Sequence, residues 1–138
     1  MADIPHNRFS RKTALLFLIL AGSIWLFIEA TQFVSRRNSD LLGVAVVLAG
    51  SILGIAIARS IGCKSLFASI LGGAAGCAIE VGVSMFLQVL LIPPEPGTVY
   101  KFGGGIGSAI AGLLGGLFLG GFSGSIVGLI AGLARKIP

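Results

Sequence analysis

Two carboxylates, Glu29 and Glu80, stand inside apolar runs of this 138-residue chain, where an acidic group can carry a proton or hold a cation. Glu80 lies near the middle of the third run. At bilayer depth such a side chain costs at least about 2.5 kcal/mol. None of the runs contains Lys or Arg, so Glu80 must be protonated, hydrogen-bonded, or open to a hydrated cavity or bound cation. Ser84 and Gln88 follow it at spacing four, toward one flank of a helix. Glu29 is sixteen residues up the first run and Glu80 fourteen up the third. At 1.5 Å per residue their depths differ by ~3 Å. Carboxylates at matching depth can share a proton or coordinate a cation, as in proton relays and transporters. The competing reading makes Glu80 a hydrogen-bonded packing residue and places Glu29 at the outer interface, beside Arg36 or Arg37.

Other chemistry has little to stand on. Gly103-x-Gly105-x-x-Ser108 approaches a dinucleotide fingerprint, but no strand precedes it and no βαβ unit fits. Ser123 lacks the G-x-S-x-G elbow and a His partner, and no Walker A or His-Glu-x-x-His sequence occurs. Cys63 and Cys77, fourteen residues apart, have no metal-ligand spacing, and His6 is distant in sequence. The reading is therefore no enzyme, no metal and no cofactor.

The elements that must position Glu80 are four apolar runs, at 13–34, 41–58, 66–92 and 102–134. Each meets the ~20 residues that span a bilayer. Polar punctuation separates them, ending in Pro93-Pro94-Glu95-Pro96-Gly97, which cannot continue a helix. The first run exceeds a signal-peptide core and reads as an uncleaved anchor. Residues 1–12 read as a cytoplasmic N-terminal tail. Hydrophobic residues make up 55% of the chain and charged ones 11%, with a mean hydropathy of +1.02. Soluble domains average about 25% charged residues. The whole chain, 1–138, reads as one all-α integral membrane domain, a four-transmembrane-helix bundle.

The fourth run carries a small residue at every fourth position: Gly104, Ser108, Gly112, Gly116, Gly120, Gly124, Gly128 and Gly132. In water each interior Gly costs a helix roughly 1 kcal/mol relative to Ala. In a bilayer, small residues let a second backbone approach, and dispersion replaces the hydrophobic drive. The pattern predicts glycine-zipper packing. Gly50 and Gly54 on the second helix and Gly72 and Gly76 on the third repeat it. Four residues overshoot a helical turn by ~40°, so the stripe drifts around the helix. Either one partner crosses with right-handed geometry, or successive glycines meet different neighbours; a second, offset stripe favours a central or interfacial fourth helix. That run is also long, ~43 Å from Ile106 onward. It is expected to tilt as one span or to break at Gly120-Gly121.

Net charge is +5, from ten basic and five acidic residues. The basic residues sit at the ends of the runs, as interfacial anchors rather than a nucleic-acid surface. With the N-terminus inside, the cytoplasmic segments hold seven of them and the opposite side three. Both termini are therefore expected in the cytoplasm, although the Arg36-Arg37 pair opposes this. The expected function is an oligomeric channel or transporter-like unit, with Glu80, Glu29, Ser84 and Gln88 on a proton or cation path. The alternative is a non-catalytic packing or assembly subunit of a larger membrane complex. Expected partners are the lipid bilayer and either further copies of the chain or partner helices.

Overall fold

The computed structural model describes residues 10–33, 39–91 and 105–135. Among them are four helices: α1 (Arg11–Phe33), α2 (Ser39–Ser60), α3 (Leu66–Leu91) and α4 (Gly105–Ala134). All four are long and apolar enough to cross a membrane, which fits an integral multi-pass membrane protein. Residues 34, 92 and 102–104 of the expected spans, with the zipper position Gly104, lie outside the described residues.

Local chemistry sets the helix ends. Ser10 caps α1 by accepting the Thr13 amide proton, at 3.3 Å. Arg11 and Lys12, assigned above to a tail, thus form its first turn. At the other end of the first hairpin, α2 stops at a glycine in the left-handed region, Gly62 with φ 92°. Its amide donates to Arg59 O and that of Cys63 to Ala58 O, both at 3.0 Å, the paired bonds of a Schellman motif. Ser65 then caps α3 through the Ala68 amide at 3.0 Å. With Gly120 and Gly121 in its interior, α4 runs as one helix of 30 residues.

Neighbouring helices are antiparallel. Thr13 near the start of α1 shares a 2.8 Å hydrogen bond with Ser60 at the end of α2. Gly54 of α2 faces Gly72 and Gly76 of α3, while Gly116, Gly120, Gly124 and Gly128 of α4 run down α3 from Gly82 to Ser69. These contacts are between backbones. A methyl group at Gly116 would lie 2.7 Å from Gly82 Cα, and one at Gly120 would lie 2.6 Å from Cys77 O. At Gly54 it would strike Gly72 O and come within 2.7 Å of Gly76 Cα. One partner, α3, accepts the α4 stripe from Gly112 to Gly132. A stripe at period four stays on one neighbour only if the pair winds in the right-handed sense, because four exceeds 3.6.

The central helix is α3, which makes the most extensive contacts of the bundle, with α4 and with α2, and also touches α1; α4 packs on α3 and more lightly on α2. Its far face carries exposed bulk, Phe118 at 77% and Phe122 at 67%. Small α4 residues face inward, and the offset stripe's Gly107 and Gly115 are exposed. The first helix packs differently, burying Leu20, Ile24 and Ile28 while Leu18, Trp25 and Leu26 stay exposed.

The close approaches separate two kinds of glycine. Gly54→Ala and Gly124→Ala force methyl groups into backbone, with an expected loss of about 1–3 kcal/mol. Gly22→Ala and Gly115→Ala meet nothing within 4 Å and should leave stability unchanged or raise it slightly. Unfolding of the detergent-solubilised protein, followed by circular dichroism, checks the contrast.

Candidate functional site

Glu80 sits on α3 one turn beyond Gly76, where α1 and α2 both come close. Its side chain is 1% exposed. Room for it comes from α2: a methyl at Gly50 would lie 2.7 Å from Glu80 Cβ. From α1, Ser23 Oγ donates to Glu80 Oε2 at 2.9 Å. The same hydroxyl lies 2.8 Å from Leu20 O, one turn back on its own helix. A serine hydroxyl carries one proton, yet here it meets two acceptor positions. Next to Glu80 on the same helix is Cys77, fully buried and within reach of Ser51. Ser51 donates to Val47 O at 2.6 Å. Three helices thus contribute a buried polar layer: Ser23, Ser51, and Cys77 with Glu80.

A cavity of about 210 Å³ opens onto this layer between α1 and α2. Glu80 and Ser23 are its polar members, and Phe27, Ala45, Val46 and Ala49 are among its apolar walls. The cavity gives the carboxyl a lateral approach past small side chains of α2.

Beyond Glu80 the α3 flank continues as Ser84 and Gln88, both on the path expected above. Ser84 is completely buried, and its Oγ has no partner; Gln88 Nε2 and, on α4, Ser108 Oγ are likewise buried and unpartnered. This is unusual, because buried polar atoms are nearly always hydrogen-bonded. Other hydroxyls in these helices follow the rule. Thr31 donates to Ile28 O at 2.7 Å and Ser125 to Gly121 O at 2.8 Å, each satisfied by its own helix. Neither Ser84 nor Gln88 lines the cavity at Glu80.

The structure does not bring Glu29 to the depth of Glu80. Contact with Glu80 is made at Ser23, and Glu29 lies six residues further along α1, or ~9 Å at 1.5 Å per residue. The ~3 Å expected from the apolar runs counted α1 from residue 13, whereas the Ser10 cap starts it at Arg11. Counted from the true helix starts, Glu29 is eighteen residues up α1 and Glu80 fourteen up α3, or ~6 Å apart, and the rest of the ~9 Å is an offset between the two helices along their axes. Glu29 is half-buried, and its suggested partners Arg36 and Arg37 lie outside the described residues. Sequence reading passed over Ser23 and Ser51. Both are polar residues within apolar spans, and a rung count from the capped ends points to Trp25, two residues past Ser23.

Among the described residues no three His, Cys, Asp or Glu side chains gather in a metal-binding group, and both cysteines are free thiols. The arrangement defines a multi-pass membrane protein with, among the described residues, an enclosed carboxyl at Glu80 and polar groups following it on the same helix. In comparison with known proteins, no family model, curated protein or solved structure matches the chain.

Removing the Ser23 hydroxyl isolates Glu80. Ser23→Ala should lower stability by about 1–2 kcal/mol, the cost of leaving a buried polar group unpaired. Glu80→Gln, which keeps a group able to bond Ser23, should cost less. A double-mutant cycle on thermal unfolding in detergent should return a positive coupling between the two positions.

Proposed function

We propose that the protein is a small membrane unit conducting a proton or cation, with Glu80 as the pathway carboxylate. The observation that carries this reading is an enclosed carboxyl at mid-span, partnered among the described residues by one neutral hydroxyl, on the same flank as buried Ser84 and Gln88 atoms without partners. Mid-membrane carboxyls are costly and mark ion or proton paths. Ser23 supports both states of the group. When Glu80 is protonated it donates to Ser23 Oγ, which donates to Leu20 O. When Glu80 is ionised, the Ser23 proton turns to the carboxylate. In this reading the cavity between α1 and α2 is the approach to Glu80, and Ser84 and Gln88 continue the path at ~6 Å per step. Water bridges such gaps. Glu29, further along α1, belongs to the outer end.

The glycine stripes act in this proposal as glycine zippers that hold the protomer, and the exposed bulk of α4 is the surface on which copies associate into an oligomer. Arg11, Lys12, Arg59, Lys64 and Arg135 stand at the helix termini of one end of the bundle. By the positive-inside rule that end is cytoplasmic, which puts both termini there. Cys63 is exposed at the same end and Cys77 is buried. A membrane-impermeant maleimide should therefore leave sealed right-side-out vesicles unlabelled and modify one thiol, Cys63, once they are opened; labelling of the sealed vesicles would invert the topology.

A second reading, a packing or assembly subunit, draws support from an apolar groove of about 320 Å³. Small residues such as Gly54, Ala58 and Ala75 line it together with bulky ones such as Phe17, Ile57 and Ile79, and the small ones are where a partner helix can approach closely. Ion flux through purified protein in liposomes separates the two. For a conducting unit, wild type should carry flux that varies from mildly acidic to mildly alkaline conditions. Glu80→Gln should abolish the flux or remove its pH dependence. Absence of flux from well-folded wild type would leave the assembly reading.

A further inference from the structure

At the cationic end of the bundle, a cavity of about 300 Å³ opens between the start of α3 and the end of α4. Its lining is Lys64, Ser65, Leu66, Ser69, Gly132 and Arg135. We propose that this cavity is a binding site for the phosphate headgroup of an anionic phospholipid.

Four observations converge on that ligand. Two cations from different helices line one cavity, Lys64 just ahead of α3 and Arg135 just past α4. Gly132, which has no side chain, lines the same cavity, and the end of the Leu66 side chain fills the space a methyl would take there. Among the described residues no acid lies near them. The nearest turns of all four helices at this end carry no Asp or Glu, while Arg11, Lys12 and Arg59 add to the positive field. The cavity also offers neutral hydrogen-bonding groups suited to phosphate oxygens. These are the Ser65 hydroxyl and, behind it, the Leu66 and Phe67 amides of the first α3 turn, which have no acceptor within the helix; the Ser69 hydroxyl, also in the lining, donates to Ser65 O at 3.4 Å. Ser65 Oγ already accepts the Ala68 amide, which leaves its proton for an anion.

The position within the protein favours a lipid over a soluble phosphate. Lys64 lies in the short link where α2 leaves its apolar span and α3 enters the next, and Arg135 follows the last apolar residue of α4. That is the depth of the headgroups, and basic pockets between transmembrane helices are suited to anionic headgroups there. Immediately inward, Leu66 and the exposed Leu133 continue the wall as apolar surface for the acyl chains.

Native mass spectrometry of the full chain, released from detergent with phosphatidylglycerol or phosphatidylcholine, tests the site. Wild type should retain phosphatidylglycerol in preference. Lys64→Gln with Arg135→Gln should weaken that retention about tenfold or more, taking each basic group near the surface at its usual contribution. Lys64→Arg with Arg135→Lys, which keeps both charges, should restore it. Arg11→Gln with Lys12→Gln removes the same net charge from the same end outside the cavity and should have a much smaller effect. Equal loss in the two neutralised variants would overturn the site in favour of diffuse attraction. So would equal retention of the two lipids by wild type. Millimolar inorganic phosphate is the remaining arm. Displacement of phosphatidylglycerol by phosphate, with phosphate itself retained, would reassign the cavity to a soluble phosphate ligand.

Discussion

The architecture depends on the closeness with which α2 and α4 approach α3. Adjacent glycines on α3 serve both: Gly72 meets Gly54 of α2, and Gly73 meets Gly124 and Gly128 of α4. Successive residues on a helix point about 100° apart, so this pair opens two separate faces at one level. Without a hydrophobic drive between helices in lipid, such contact gains its stability from dispersion, which falls steeply once a gap opens. The bundle is correspondingly inverted relative to a soluble domain. Small and polar residues such as Gly116, Ser84 and Glu80 are inside, and Phe118, Phe122 and Trp25 are outside.

The site at Glu80 follows from that closeness. Gly50 brings α2 near enough to enclose the carboxyl, while α1, packed through Leu20, Ile24 and Ile28, supplies Ser23 and leaves the cavity beside α2. On the α2 side the enclosing walls are the backbone at Gly50 and the side chains of Ala45, Val46 and Ala49. On the α1 side they are larger side chains around one hydroxyl contact. A carboxyl held in this way has a fixed contact at Gly50 and otherwise side chains that rotation can alter.

Much of this was legible in the sequence, for identifiable reasons. Spans are read from apolar length, and the four runs found their helices to within three residues at the ends that can be compared. The position of Glu80 in the middle of a span was equally plain. What failed was registry between helices. The Ser10 cap starts α1 two residues early and α1 is offset along α3, so the residue that reaches Glu80 is Ser23 and not Glu29. Of the two places expected for α4, central or interfacial, the centre is taken by α3. The longest glycine stripe needs only one neighbour when that neighbour winds with it, whereas α3 carries glycines on two faces. Gly62, eight residues after Gly54, belongs to the turn after α2, a distinction of backbone angle that a spacing pattern does not contain.

Where Gly54 lies against Gly72 and Gly76, both surfaces have already reached the smallest residue available. In a core of Leu and Ala, an enlarged side chain on one helix can be accommodated by a reduced one opposite, and sequences drift through such exchanges. Here the facing positions have nothing left to give up. Change at these glycines has no local compensation, so divergence in this chain must accumulate on the outer surfaces while the contact between α2 and α3 stays a fixed point of its history.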